Sequence, residues 1–191
     1  MVRTIDLDPL SENAHLLQPP VSNHCVYHPS SPHTPGYTVM IVGGPNARTD
    51  YHINPTPEFF YQHTGSMLLR VVTDESTSPH TFEDIPIHEG SMFLLPPNTP
   101  HCPVRFAGSV GIVVEMPRGE GGEDRMRWYC GGCGGVVWEK RFLCVDLGTQ
   151  VREVVEEFGG DEGKRRCGGC GVVVGMTWAE GEVRQPPRFP E

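Results

Sequence analysis

Short apolar runs separated by polar turns dominate the chain from residue 21 to about residue 114. Gly, Pro, Asn and Asp fill the gaps between the runs, and the spacing of the runs is nearly regular. This pattern is typical of short β-strands in a barrel or a double-sheet jelly roll. We therefore predict a mainly β fold with strands at residues 37–44, 58–62, 66–72, 91–96 and 110–115.

Two stretches have helical periodicity instead. Residues 8–18 begin with a capping aspartate and a proline and carry apolar residues on one face, which predicts a short helix. The spacing of the apolar residues in the second stretch predicts an amphipathic helix over residues 150–158. Its apolar face consists of Val151, Val154, Val155 and Phe158.

A polar, glycine-rich connector, MPRGEGGEDR, follows Glu115 and separates two regions. Residues 1–118 are predicted to form the barrel with its N-terminal helix. Residues 119–191 are predicted to form a C-terminal unit with a rubredoxin-like site of four cysteines and one helix. Within these regions, residues 73–89 are expected to be an exposed polar hairpin or loop. The tail, residues 180–191, is polar and contains proline, so we expect it to be loose.

Composition narrows the classes of function. A length of 191 residues suits one domain with a small appendage. The formal charge of −9 argues against nucleic acid or an anionic membrane as a partner. The sequence contains no apolar run long enough to span a bilayer, and its start lacks the pattern of a secretory signal. We therefore expect a cytoplasmic protein.

Two histidines and one glutamate are the candidates for a catalytic metal site. His52 precedes a turn containing Pro55 and Pro57, which allows Glu58 on the returning strand to face His52. His101 follows a second turn rich in proline and asparagine. Two imidazoles and one carboxylate bind a divalent metal and leave positions open, as in non-haem Fe(II) oxygenases. Taken singly, each residue would be interpreted as a half-buried histidine or a surface carboxylate, so the metal interpretation depends on all three.

Three further charged residues lie near these ligands in sequence and are candidates for substrate binding. Arg48 precedes His52, Arg105 follows His101, and Glu115 ends an apolar strand where a carboxylate needs a partner. Arg105 can bind a substrate carboxylate with two parallel hydrogen bonds. An ion pair between Arg105 and Glu115 at the mouth of the barrel explains the same residues equally well, and the sequence leaves this choice open.

Four of the seven cysteines form two C-x-x-C pairs, each followed by glycine. Two such pairs supply a tetrahedral thiolate site for zinc or a single iron ion. Disulfides do not fit a cytoplasmic protein, a redox dithiol requires one pair, and the acidic charge disfavours a nucleic-acid-binding zinc ribbon. We expect a structural second metal, which could lie near the barrel of a partner subunit, held by Cys130, Cys133, Cys167 and Cys170.

The chain resembles the 3-hydroxyanthranilate 3,4-dioxygenases in their single-cupin form from fungi and bacteria. The spacing from His52 to Gly65 and from Gly90 to His101 matches the two cupin motifs. Asn54 stands where many cupins carry a third histidine ligand. The resemblance covers nearly the whole chain, and its matching segments are PPVSN (19–23), VGGPNARTDYHINPTPEFFYQ (42–62), FLLPPNTPH (93–101), GIVVE (111–115), RWYC (127–130) and KRRC (164–167).

The resemblance implies a cupin barrel and a specific reaction. In that family, Fe(II) opens the ring of 3-hydroxyanthranilate with dioxygen to give 2-amino-3-carboxymuconate semialdehyde, which cyclises to quinolinate, the precursor of NAD. By resemblance, His52, Glu58 and His101 hold the iron, and Arg48 lies near dioxygen. Arg105 and Glu115 hold the carboxylate side of the substrate, and Glu58 also borders it. The implied partners are a small aromatic substrate and O2, and a homodimer is left open.

One residue departs from the pattern expected of this family. Cys102 follows His101 at a position where a small hydroxyl residue is expected, and a thiol beside an iron ligand is an oxidation hazard. The alternative class of function is a different metal-dependent cupin, such as a small-molecule-binding regulator or an isomerase. The three-ligand set and the two arginines favour the dioxygenase.

Overall fold

Eleven β-strands and two helices make up the computed structural model, which describes residues 23–33, 35–76 and 79–189. The predicted helix over residues 8–18 lies outside the described residues. The strands are β1 (Asn23–Tyr27), β2 (Thr38–Gly43), β3 (Tyr51–Ile53), β4 (Glu58–Thr64), β5 (Met67–Asp74), β6 (Thr81–Ile87), β7 (Met92–Leu95), β8 (His101–Arg105), β9 (Val110–Glu115), β10 (Glu123–Tyr129) and β11 (Val136–Leu143). The helices are α1 (Leu147–Gly159) and α2 (Glu162–Arg165).

The strands form two antiparallel sheets. The first has the order β1-β2-β9-β4-β7, and the second has the order β11-β10-β3-β8-β5-β6. The main apolar core contains side chains from both sheets, including Met40, Phe60, Leu69, Val113 and Met126. The predicted mainly β, two-sheet cupin barrel with a cysteine cluster near its C-terminus is confirmed.

The five predicted strands all lie on observed strands, with bounds that differ by a few residues. The described residues of the range 73–89 contribute to a hairpin, since β6 pairs with β5 from Asp74↔Thr81 to Met67↔Ile87. This pairing agrees with the hairpin alternative for that region. β6 is largely exposed because it is the last strand of its sheet.

The predicted amphipathic helix is confirmed as α1 and begins three residues earlier than expected. Asp146 caps it by accepting a hydrogen bond from the Thr149 backbone N–H. Phe158, which is fully buried, stacks on Trp128 of β10 with ring centroids 4.0 Å apart. Because this contact and the rest of the apolar face belong to the barrel core, α1 packs directly against the barrel.

The second sheet crosses the predicted boundary at residue 118. β10 pairs with β3, where Met126 lies opposite His52, and β11 extends the sheet beyond β10. The division into units 1–118 and 119–191 stays a prediction. The pairing means that residues after 118 line the same barrel as the predicted metal ligands.

The C-terminal tail is attached to the barrel, so the expectation of a loose tail is wrong for its described part. The Ser66 hydroxyl donates to the carbonyl oxygen of Pro186 at 2.7 Å. Arg188 Nη2 donates to Glu89 Oε1 at 2.6 Å. Neither helix in the described part of the chain is long and apolar enough to cross a membrane.

Candidate active site

The three predicted metal ligands lie together inside the barrel. His52 on β3 and His101 on β8 are directly opposite each other in the sheet register. Glu58, the first residue of β4, lies between them: its Oε1 is 3.4 Å from His52 Nδ1 and its Oε2 is 3.3 Å from His101 Nε2. One ligand atom from each residue lies within 4.8 Å of the other two, and all three side chains are buried.

The turn between β3 and β4 is built by the sequence NPTP. Asn54 Oδ1 accepts hydrogen bonds from the Thr56 backbone N–H at 2.9 Å and from the Thr56 hydroxyl at 2.8 Å. This side-chain-to-backbone bond is a common way to close a tight turn. Asn54 therefore shapes the turn that brings Glu58 back beside His52. The two hydrogen bonds from Thr56 occupy both lone pairs of Asn54 Oδ1, so this oxygen is not free to bind a metal.

Each histidine directs one ring nitrogen away from Glu58 toward a hydrogen-bond acceptor. His101 Nδ1 is 3.0 Å from the carbonyl oxygen of Thr99, and His52 Nε2 is 2.7 Å from Asp124 Oδ2. A carbonyl and a carboxylate only accept hydrogen bonds, so these nitrogens carry protons. Once a metal displaces any second ring proton, the lone pairs of His101 Nε2 and His52 Nδ1 face Glu58, as a shared metal requires.

The electrostatics of the group fit a cation. Burial acts to lower the pKa of His52, but hydrogen bonds to Asp124 and Glu58 outweigh burial and raise this pKa to about 10. Burial acts to raise the pKa of Glu58, but the charges and hydrogen bonds of His101 and His52 lower it. The site therefore stabilises positive charge beside an ionised carboxylate.

One atom of this group supports the fit to a metal directly. Glu58 Oε1 is buried and makes no hydrogen bond of good geometry among the described residues, since its polar neighbour His52 Nδ1 lies 3.4 Å away. An unpaired carboxylate oxygen in the interior is costly unless a cation compensates for its lost hydration. A divalent ion bound by Glu58 and the two facing imidazoles would satisfy this oxygen. The donor set suits such an ion.

A cavity of about 80 Å³ adjoins the ligand group. It is lined by the three ligands, by the three predicted charged residues, and by apolar side chains of both sheets. These residues include His52, Glu58, His101, Arg48, Arg105, Glu115, Met40, Phe60, Val113 and Met126. The structure thus brings every sequence-predicted site residue of the barrel to one cavity. The roles of the individual residues stay predictions.

Arg48 has an unpaired donor at this cavity. Its Nε lies 3.3 Å from Asn46 Oδ1 and 3.5 Å from Asp50 Oδ1, which fixes the base of the guanidinium. Its Nη1 is buried and has no hydrogen-bond partner among the described residues. Arg48 can therefore offer a positively charged N–H group to a ligand in the cavity.

Arg105 and Glu115 are not paired with each other, although the sequence left open an ion pair between them. Arg105 Nη1 donates to Gln62 Oε1 at 3.2 Å, and Glu115 Oε2 accepts from Arg118 Nη2 at 2.7 Å. The described residues contain no ion pair between Arg105 and Glu115. Arg105 is thus left without an acidic partner at the cavity, which favours the substrate-binding interpretation.

Burial changes the acidity of both groups. It lowers the pKa of Arg105 to about 9, so the guanidinium is still charged at neutral pH. Burial, with the nearby negative charge of Glu58, raises the pKa of Glu115 to about 7. A carboxyl group of this kind can hold a proton near neutral pH.

Sequence reasoning missed Gln62, Arg118 and Asp124. Gln62 is hidden within an apolar strand, and the other two lie within the glycine-rich connector. One signal was present for Asp124: it alternates with Met126 and Trp128 along β10, and all three are fully buried. An acidic residue on the inward face of a strand needs a buried partner.

Cys102 points away from the metal ligands although it follows His101. Its thiol donates to the carbonyl oxygen of Arg48 at 3.1 Å and packs with Tyr51 and Val104 in a second apolar cluster. Burial raises the pKa of Cys102 to about 12. A buried, protonated thiol on the other face of β8 is a poor nucleophile, so the geometry reduces the oxidation hazard expected from its position in the sequence.

The paired cysteines, Cys130, Cys133, Cys167 and Cys170, form a second group, the four-cysteine cluster. Cys130 Sγ is 3.4 Å from Cys170 Sγ, and Cys133 Sγ is 3.5 Å from Cys167 Sγ. All four sulfur atoms lie within 4.8 Å of one another, and none forms a disulfide. The cluster fits one tetrahedral metal ion with four thiolate ligands.

Both cysteine turns have the same backbone geometry. The N–H of Gly134 donates to the carbonyl of Cys130, and the N–H of Gly171 donates to the carbonyl of Cys167, each at 2.8 Å. Gly134 and Gly171 have φ values of 70° and 77°, a conformation that glycine adopts without strain. The glycines in the sequence therefore form two matched turns that present the four sulfur atoms to one another.

The chain is similar to several known proteins. The model of the 3-hydroxyanthranilic acid dioxygenase family matches residues 1–159. The 3-hydroxyanthranilate 3,4-dioxygenase of Coccidioides immitis is 71% identical over 182 residues, which are 95% of this chain and 94% of the relative. The enzyme of the same name from Aspergillus niger is 73% identical over 179 residues, covering 93% and 94%. A solved cupin-2 domain containing protein from Shewanella frigidimarina has 17% identity and a TM-score of 0.40 over 56% of this chain and 90% of that chain.

Proposed function

The chain belongs to the 3-hydroxyanthranilic acid dioxygenase family, and we propose that it opens its aromatic substrate at an iron site held by His52, Glu58 and His101. The protein is a ring-cleaving dioxygenase that acts on a small aromatic substrate and O2. The proposed reaction converts 3-hydroxyanthranilate and one O2 to 2-amino-3-carboxymuconate semialdehyde, with both oxygen atoms retained in the product. Spontaneous cyclisation of this product gives quinolinate, which places the enzyme in the kynurenine route to NAD.

The proposal rests on a buried group of three metal-ligating side chains beside an arginine that has no acidic partner among the described residues. The ligand atoms of the two imidazoles and the carboxylate lie within 4.8 Å of one another, and Glu58 Oε1 makes no hydrogen bond of good geometry within the described residues. Arg105 faces the same cavity without an acidic partner. Fe(II) bound to two histidines and one carboxylate supplies redox chemistry and open positions for a chelating substrate and O2.

Arg105 recognises the substrate carboxylate. Its guanidinium is buried, and the amide oxygen of Gln62 at 3.2 Å fixes its orientation while leaving other N–H groups free. A substrate carboxylate can accept two parallel hydrogen bonds from such a guanidinium. These bonds fix the orientation of the substrate ring, and the guanidinium compensates the negative charge of the carboxylate. The aromatic ring then lies among apolar side chains such as Phe60 and Val113.

Glu115 and Arg48 complete the polar contacts. Burial and Glu58 raise the pKa of Glu115 to about 7, so a large fraction of its carboxyl group is protonated at neutral pH and can donate to a substrate oxygen. The unpaired Nη1 of Arg48 supplies an N–H group on the dioxygen side of the cavity. Positive charge at this position stabilises negative charge that develops on oxygen in the transition state.

The test is to load the purified protein with Fe(II) without oxygen, add 3-hydroxyanthranilate in air, and follow the absorbance of the semialdehyde. We expect turnover by the wild-type chain. His52→Ala removes one of three metal donors and should lose both barrel iron and turnover while the fold is kept. Full iron occupancy and turnover in His52→Ala would show that the metal lies elsewhere.

The second metal is proposed to be a structural iron or zinc ion in the four-cysteine cluster. Four thiolates saturate a tetrahedral ion, so no position is left for substrate or O2. Free cysteines suit a reducing compartment, which supports the proposed cytoplasmic location. A homodimer without nucleic-acid or membrane partners stays a prediction.

A further inference from the structure

A buried carboxylate, Asp124, contacts one of the proposed metal ligands from behind. Its side chain is fully buried, and its Oδ2 lies 2.7 Å from His52 Nε2. The matching position behind His101 holds a neutral backbone carbonyl, that of Thr99, at 3.0 Å. The two histidines are therefore oriented by acceptors of different charge. Of these two acceptors, only the one behind His52 belongs to a side chain.

Arg118 fixes Asp124 with a complete pair of hydrogen bonds. Arg118 Nε lies 2.5 Å from Asp124 Oδ1, and Arg118 Nη2 lies 2.5 Å from Asp124 Oδ2. Both side chains are buried, at 9% and 0% exposure. A paired geometry of this kind is the strong form of the arginine–carboxylate interaction. It leaves Asp124 little freedom to rotate away from His52.

The same nitrogen of Arg118 also contacts the proposed substrate-binding acid. Arg118 Nη2 lies 2.7 Å from Glu115 Oε2, and Glu115 lines the cavity. A continuous row of hydrogen bonds therefore runs from Glu115 through Arg118 and Asp124 to His52. Because one nitrogen serves both carboxylates, a displacement of Glu115 must change the contact that holds Asp124.

The local sequence explains how this row forms. Arg118 and Asp124 lie on either side of a tight turn in which the Gly122 N–H donates to the Gly119 carbonyl oxygen at 2.9 Å. Gly121 in the same turn has a φ of 71°. The glycine-rich connector thus folds Arg118 back onto the first inward-facing residue of β10.

An ion-pair network of this kind can also be a packing feature, since buried charges need partners wherever they occur. Here both ends of the row belong to the cavity: one end is a proposed metal ligand and the other is a proposed substrate contact. We propose that Asp124 and Arg118 are positioning residues that couple the placement of Glu115 to the orientation of His52. This inference rests on the proposed function, because it takes His52 as a ligand and Glu115 as a substrate contact.

The first measurement is the affinity of the full-length protein for Co(II) in the barrel site, by competition with a chelator and without substrate. Thiolate charge-transfer absorption distinguishes Co(II) at the four-cysteine cluster from Co(II) in the barrel. After correction for the proton that the metal displaces from His52, Asp124→Asn should weaken barrel binding by about 10–100-fold, the usual cost of losing such a partner of a metal-bound histidine. Asp84→Asn removes a carboxylate from a half-exposed ion pair with Arg70 and should leave the affinity unchanged.

The second measurement tests the coupling itself with a double-mutant cycle on Co(II) affinity. The effects of Glu115→Gln and Asp124→Asn should be non-additive by at least about threefold in protein that retains Arg118. In an Arg118→Lys background, which keeps the charge but not the bridging fork, the two effects should become additive. A purely structural ion pair would lower stability without producing this pattern.

Failure of the proposed coupling and failure of the proposed metal site give different results. Barrel affinity within about twofold of wild type in Asp124→Asn, or additivity in the presence of Arg118, would overturn the coupling. If Asp124→Asn does not fold, Arg118→Lys takes its place: weakened Co(II) binding supports the coupling and unchanged binding overturns it. Retention of barrel Co(II) in His52→Ala would instead overturn the proposed metal site.

Discussion

The guanidinium of Arg105 donates to a neutral partner, the amide oxygen of Gln62, at 3.2 Å in the interior of the barrel. Arg105 is 4% exposed and Gln62 is 1% exposed. A buried cation normally has an acidic partner, because the loss of hydration is otherwise uncompensated. Arg105 has none among the described residues, and it faces the cavity. This arrangement is suited to a substrate that brings its own carboxylate.

Replacing Arg105 should therefore act on substrate recognition. Arg105→Ala should weaken binding of 3-hydroxyanthranilate by about 2–4 kcal/mol, since a substrate carboxylate is left poorly paired in a dry pocket. Binding of 2-aminophenol, which has no carboxylate, should change much less. Anaerobic titration gives the affinity for each ligand. The matched control is Arg70→Ala, in the hairpin of β5 and β6. Equal losses for the two ligands would rule out this role.

Gly111 should be intolerant of any side chain because Arg105 occupies the space beside it. A Cβ atom at residue 111 would lie 2.9 Å from both Arg105 Nη1 and Gln62 Oε1, closer than normal contact. Gly111→Ala should displace the guanidinium and so weaken substrate binding, and the overpacking should also lower folding stability by about 1–3 kcal/mol. The control is Gly168→Ala, where a Cβ would meet nothing within 4 Å. An unchanged KM in Gly111→Ala would contradict the proposed position of Arg105.

Metal binding should depend on pH in a defined direction. In the metal-free protein, hydrogen bonds to Asp124 and Glu58 outweigh burial and raise the pKa of His52 to about 10, so this histidine is protonated at neutral pH. A metal must displace that proton, so affinity should fall by about tenfold for each unit that the pH falls below about 9. Co(II) titrations at several pH values give the slope. In Asp124→Asn, which lowers the pKa of His52, the same slope should begin only at a lower pH, and a slope of zero below about pH 9 in the wild type would refute the prediction.

The parts of this protein that could be predicted from sequence are those set by local patterns. Apolar runs between turn residues identified the strands, and the prolines around residue 56 explained why Glu58 returns to His52. Spacing identified the four cysteines, since each turn forms within a few residues.

The parts that could not be predicted depend on long-range pairing. The connector after Glu115 has the composition of a linker, yet it supplies Arg118 and leads into β10, which pairs with the distant strand β3. The tail has the composition of a loose terminus, but Glu89 and Ser66, both distant in sequence, hold it to the barrel. Neither contact leaves a periodic signal in its own segment.

The four-cysteine cluster lies at the start of a segment that reaches the proposed dioxygen side of the site. After Cys170 the chain runs to residue 175, where the Gly175 carbonyl accepts from the Thr49 hydroxyl at 2.7 Å. The Thr49 N–H donates to the Met176 carbonyl at 3.2 Å, and an isolated bridge pairs Arg48 with Thr177. The cluster thus supports the backbone beside Arg48 without contributing to the cavity.

Loss of the metal in the four-cysteine cluster should therefore affect stability first. Cys130→Ser combined with Cys133→Ser should remove one metal ion per chain and lower the melting temperature, because metal binding supplies much of the folding free energy of such a unit. The soluble fraction should keep its barrel iron and its kcat at saturating O2. Its KM for O2 should rise a few-fold, since residues 175–177 no longer hold Arg48 firmly. Metal counting, thermal denaturation and turnover per barrel iron test these outcomes against Cys25→Ser, which removes a thiol outside the cluster. A well-folded double variant with full barrel iron and no turnover would instead place the second metal in the reaction.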